Sequence, residues 1–183
     1  MKSFLYLKPW QFYILIIAAP LLAFVGIINT ILTKKENVLI QILLFSLLFM
    51  AFIHFNWIYA TATNLYKKLP FPNKMNIKLF KTAFFSSLLY FLSLSIFIYF
   101  SILNKELNTA IILWLIPVHL FFIFCIYYQL YFIAKALKSV ELQYQVIEFK
   151  EFKSEFYSIL EIFIYSNVWN IQKRINKIFS LKK

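Results

Sequence analysis

The sequence predicts an all-α integral membrane protein: a four-transmembrane-helix bundle (two helical hairpins) with C-terminal interfacial amphipathic helices. Three observations predict it. The 183 residues are 62% hydrophobic, 21% aromatic and 14% charged, whereas water-soluble domains are about half apolar and about a quarter charged. Four long stretches, Phe12 to Leu32, Val38 to Ala60, Thr82 to Leu103 and Thr109 to Ala134, contain no Lys, Arg, Asp or Glu. The cationic residues gather between and after these stretches, with an excess on one side.

Each stretch reaches the roughly 20 apolar residues that carry a helix across about 30 Å of hydrocarbon, where every backbone N–H and C=O must be satisfied within the segment. A transmembrane barrel needs alternating polarity over about ten residues. These runs are apolar on all sides and twice that long, so a barrel is rejected. The first run follows Lys2 and Lys8, but it exceeds the apolar length of a signal peptide and no convincing small-residue cleavage site follows it. It is expected to be retained as the first span.

Lysine and arginine set the orientation, because short basic loops stay in the cytoplasm. Lys2, Lys8, Lys67, Lys68, Lys74, Lys78, Lys81 and nine further residues after the fourth run fall on one side, against Lys34, Lys35 and Lys105 on the other. Both termini are therefore expected in the cytoplasm, with the protein in a bacterial inner membrane. An aromatic belt is expected to agree, with Trp10, Tyr13, Trp57, Tyr59, Tyr127, Tyr128 and Tyr131 at the inner boundary and Tyr99 and Trp114 near the outer one. The net charge of +12 reports this topology, and nucleic acid is not an expected partner.

Leu69-Pro70-Phe71-Pro72-Asn73 divides two hairpins of similar design. Tyr59, Ala62 and Leu65 align with Tyr131, Ala134 and Leu137, and the spacing of three predicts that the second and fourth helices continue beyond the bilayer. A duplicated hairpin and chance similarity between apolar helices both fit. Pro20 and Pro117 can kink their helices, while Ala19, Ala23 and Gly26, and Ser86, Ser87, Ser93 and Ser95, mark faces suited to close helix contact. Cys125, the single cysteine, lies in an apolar run and reads as packing.

Residues 1–138 are assigned to the membrane domain and 139–183 to an interfacial tail. Leu142, Val146, Phe149, Phe152, Phe156, Leu160 and Phe163 recur at helical spacing. After Ser166-Asn167, the residues Val168, Ile171, Ile175 and Ile178 form an apolar stripe, with Gln172, Lys173, Arg174, Asn176 and Lys177 expected opposite it. Such a helix attracts anionic lipid, so Lys173, Arg174 and Lys177 are candidate headgroup contacts and membrane lipids the expected partners. Packing of the tail against the bundle, or docking of a second protein, are the alternatives.

His54, Asn56 and Gln129 lie at comparable depths and are the candidate intramembrane polar cluster, either as helix glue or as part of a solute path. His119 sits at another level, so a shared metal site is not expected. Glu161 is an acid in an apolar stretch, either ion-paired within the tail or coupled to protons. Gly26 is the only glycine and Asp is absent, which removes phosphate loops and Asp-based sites; no catalytic residue, cofactor or metal is expected.

Ala134-Lys135-Ala136-Leu137-Lys138-Ser139-Val140-Glu141 and Trp169-Asn170-Ile171-Gln172-Lys173-Arg174-Ile175-Asn176 resemble segments of small uncharacterised bacterial inner-membrane proteins with four predicted transmembrane helices. The resemblance covers the last third of the chain. Where those proteins have a Pro-Ile-Gly-like break before the tryptophan, this chain has Tyr165-Ser166-Asn167. The resemblance implies no activity. The reading that follows is an accessory or scaffold subunit of a membrane assembly, partnered by other membrane proteins or by itself; a small oligomeric transporter or channel is second, and a lipid-acting enzyme third.

Overall fold

A computed structural model describes residues 3–33, 36–69, 75–104, 109–143 and 168–180. Six α-helices make up the secondary structure of these residues: α1 (Ser3–Tyr6), α2 (Pro9–Thr33), α3 (Glu36–Lys67), α4 (Ile77–Asn104), α5 (Thr109–Gln143) and α6 (Val168–Ser180). Helices α2 to α5 are long and apolar enough to cross a membrane, and the chain is an integral membrane protein of the all-α, four-helix class. The expected amphipathic helix between Gln143 and Val168, and Glu161 within it, lie outside the described residues.

Local chemistry sets where the helices begin. At α2, Pro9 takes the first helical position, where its missing N–H costs nothing, and Gln11 Oε1 reaches back to accept the Lys8 backbone N–H at 2.8 Å. At α4, Asn76 Oδ1 accepts the Leu79 N–H at 3.0 Å, an N-cap. Pro20 and Pro117 lie inside continuous helices.

The second and fourth spanning helices are the longest of the four. Helix α3 has 32 residues and α5 has 35, about 48 and 52 Å at 1.5 Å per residue, against about 30 Å of hydrocarbon. The extension of α5 carries it through residue 138 to Gln143 without a break.

Among the described residues, packing is concentrated at the lysine-rich end. Leu5, Phe12, Trp57, Ala62, Leu65, Phe80, Phe132, Ala134, Leu137 and Val140 are buried there together with Ile171, Ile175 and Ile178 of α6. Aromatic pairs cross each boundary: Phe12 with Trp57 (5.7 Å between ring centroids), Tyr59 with Phe84 (4.9 Å) and Phe80 with Phe132 (4.8 Å). Toward the other end Phe45, Leu48, Leu92, Ile96, Phe100 and Ile116 are exposed. Acyl chains are as apolar as leucine, so within hydrocarbon helices gain little from burial and rely on shape and hydrogen bonds.

At Gly26, α2 comes close to α3. A Cβ built on it would stand 2.7 Å from Ile42 Cγ2, and Ala19 on the same face is buried.

Candidate functional site

Among the described residues, the densest polar arrangement is a cap at the lysine-rich end, where α6 lies across α1, α2 and α5 and reaches α3 through Trp57. Ile171, Ile175 and Ile178 face inward, and so does Gln172, which is fully buried; the expectation that Gln172 belongs to the polar face is corrected. Its Oε1 accepts the indole N–H of Trp57 at 2.9 Å. Its two amide hydrogens face three oxygens: the carbonyls of Phe4 and Leu7, each at 3.1 Å, and Asn176 Oδ1 at 3.0 Å. Asn176 in turn donates to the Leu7 carbonyl at 2.9 Å.

These bonds answer a defined need. Helix α1 is a single turn and cannot satisfy its own last carbonyls, and such groups are costly when buried without a partner. The amides of α6 supply the donors and so fasten the start of the chain to residues 168–180. Trp57 is 1% exposed, which moves it out of the expected aromatic belt and into the core; Trp10, Tyr13, Tyr127 and Tyr131 remain exposed.

Two further contacts close the cap. Arg174 Nε donates to Glu141 Oε1 at 2.7 Å while its terminal nitrogen engages Oε2, a bidentate pair. The Glu141 side chain is 1% exposed and that of Arg174 25%, so Arg174, expected at lipid headgroups, is instead taken up by a carboxylate at the end of α5. Lys68 Nζ donates to the Ile178 carbonyl at 2.6 Å, near the end of α6, and sits 4.6 Å from the Phe179 ring centre. Lys173 and Lys177 are exposed.

The candidate intramembrane cluster is distributed. His54 Nδ1 donates to the Met50 carbonyl at 2.8 Å, one turn back; Asn56 donates to the Phe52 carbonyl at 2.7 Å. Gln129 crosses to α4, where Nε2 lies 2.8 Å from Ser87 Oγ and 3.3 Å from the Ala83 carbonyl, besides 3.1 Å from the Cys125 carbonyl on its own helix. Gln129 is therefore interhelical glue between α4 and α5. His54 and Asn56, two residues apart, point to nearly opposite sides of α3. His119 pairs with the Tyr90 hydroxyl at 2.5 Å on an exposed face of α4 and α5.

Three cavities follow this division. One of about 300 Å³ lies among α3, α4 and α5, with His54 beside Leu47, Met50, Phe91, Phe122 and Ile126. A second of about 370 Å³ runs between α3 and α4, with Asn56 beside Phe52, Tyr59, Phe84, Phe85 and Leu88. A third of about 500 Å³, including Gln41, Leu44, Ser95 and Tyr99, opens toward the other end. Gln129 lines none of the three. Among the described residues no three His, Cys, Asp or Glu side chains are grouped to hold a metal ion.

Sequence reasoning missed Glu141, Gln172 and Asn176, and a signal for them was present. Glu141 follows Ala134 and Leu137 by seven and four residues, on the buried stripe of α5, and an acid there needs a cationic partner. Gln172 and Asn176 are four apart and alternate with the isoleucines of α6. Set against protein-family models, curated proteins and solved structures, the chain matches none of them.

Proposed function

We propose that the protein is a non-enzymatic accessory or scaffold subunit of a membrane assembly, placed in the bacterial inner membrane with the cap on the cytoplasmic side. The observation that carries this reading is how the polar side chains inside the spans are used. His54 and Asn56 bond to carbonyls of their own helix, Gln129 joins α4 to α5, and the polar side chains are spread over three separate, mainly apolar cavities: His54 in one, Asn56 in another, Gln41 and Ser95 in the third. A solute path needs polar groups converging on one water-filled space, and this arrangement favours helix cohesion over conduction. The lysine distribution supports the orientation, and the hydrogen-bonded cap offers a surface to a partner.

The test is gentle detergent extraction of the full-length chain and identification of what co-purifies. A stoichiometric membrane protein, with no solute flux when the purified chain is reconstituted in vesicles, is the expected result. Flux that is lost in Asn56→Leu while the variant remains folded would establish transport instead.

A further inference from the structure

We propose that the groove between α3 and α4 is a binding site for one anionic phospholipid, with its phosphate at the lysine-rich end and an acyl chain over Phe85 and Asn56. This goes beyond the scaffold reading and is independent of it.

The register of the two helices brings the parts together. Tyr59 packs on Phe84 and lies 6.3 Å from the Phe85 ring, and Asn56 and Leu88 line the same cavity of about 370 Å³. Continuing that antiparallel register places Lys67, in the last turn of α3, level with Ile77 and Lys78 at the start of α4. On α3, Thr63 and Lys67 follow Asn56 by seven and eleven residues, within about 20° of it around the helix. On α4, Lys78 and Lys81 precede Phe85 by seven and four residues, again on its face. Lys67, Lys78, Lys81 and Phe85 are all exposed. One apolar groove thus ends in three lysines contributed by two helices.

Its dimensions fit one leaflet. The apolar span of α3 runs to Lys67 rather than ending at Ala60, and the eleven residues from Asn56 to Lys67 cover about 16 Å, close to the roughly 15 Å that is half of a bilayer's hydrocarbon. The walls, Phe52, Phe55, Tyr59, Phe84, Phe85 and Leu88, offer aromatic and aliphatic surface to a chain. Charge complementarity selects the headgroup: a zwitterionic lipid would set its own cation among the three ammonium groups, whereas phosphatidylglycerol presents a net negative charge. Each basic residue near the surface strengthens attraction to anionic lipid several-fold. These lysines lie on α3 and α4, apart from Lys173 and Lys177 on α6, which supply a control of equal charge type.

Native mass spectrometry of the detergent-purified full-length chain, incubated with equimolar phosphatidylglycerol and phosphatidylcholine of identical acyl composition, tests the site. One phosphatidylglycerol per chain is expected, retained about tenfold over phosphatidylcholine. Lys67→Gln/Lys78→Gln/Lys81→Gln is expected to erase that preference, Lys81→Gln alone to reduce it about threefold, and Lys173→Gln/Lys177→Gln to leave it unchanged. Equal retention of the two lipids, or a loss in the α6 control as large as in the triple variant, would overturn the proposal.

Discussion

The indole N–H of Trp57 donates to Gln172 Oε1 at 2.9 Å, joining residues 115 positions apart in a fully buried bond. The same amide holds the Phe4 and Leu7 carbonyls, so one side chain links α1, α3 and α6. Gln172→Leu keeps most of the volume and leaves the Trp57 donor and the Phe4 carbonyl without this partner. A loss of about 2 to 3 kcal/mol is expected, read as lowered thermal stability in detergent. Combined with Trp57→Phe, the double variant should lose less than the sum of the two single changes.

The pairing of Arg174 with Glu141 is a second fastening, and its expected signature is asymmetry. Arg174→Leu strands a carboxylate that is 1% exposed, and a loss of about 3 kcal/mol is expected. Glu141→Leu with Arg174→Leu removes both charges and should recover much of that loss. Thermal unfolding of the three variants in one detergent separates these outcomes.

Gly26→Ala tests the contact between α2 and α3. The new Cβ would meet Ile42 Cγ2 at 2.7 Å. That methyl group is attached directly to the β-carbon, so the helices must part. Destabilisation by about 1 to 3 kcal/mol is expected, and Ile42→Ala in the same chain should restore part of it, since the clashing methyl is gone.

Gln129→Leu is expected to have little effect, under about 1 kcal/mol. Hydrogen bonds between membrane helices are worth roughly 0.6 kcal/mol on average, and Ser87 retains its own bond to the Ala83 carbonyl. Furthermore, Gln129 Oε1 is buried with no hydrogen-bond partner, so its removal relieves a cost. A conduction role would instead show as lost flux in a variant that remains stably folded.

The four spans were legible because hydrocarbon imposes a rule on composition that short uncharged runs cannot satisfy by accident. Phe12 to Leu32 and Thr82 to Leu103 fall within a few residues of α2 and α4. The trios Tyr59, Ala62, Leu65 and Tyr131, Ala134, Leu137 foretold the longer α3 and α5, although Tyr131 is exposed while its companions are buried. The polar residues were harder to place. His54 and Asn56 are near in depth, yet depth says nothing of azimuth, and two residues on a helix turn a side chain through about 200°.

What the sequence by itself determined is the number of crossings and the segregation of cationic residues to one end, because the first follows from the free energy of single residues in hydrocarbon and the second from the order of the charges along the chain. Only the tertiary structure decided the fate of individual polar groups: that Arg174 meets Glu141 rather than a headgroup, that Trp57 is core rather than belt, and that Gln172 lies inside. Those outcomes depend on which surfaces meet, and a buried donor or acceptor takes its energy from a partner that the linear order of residues does not name.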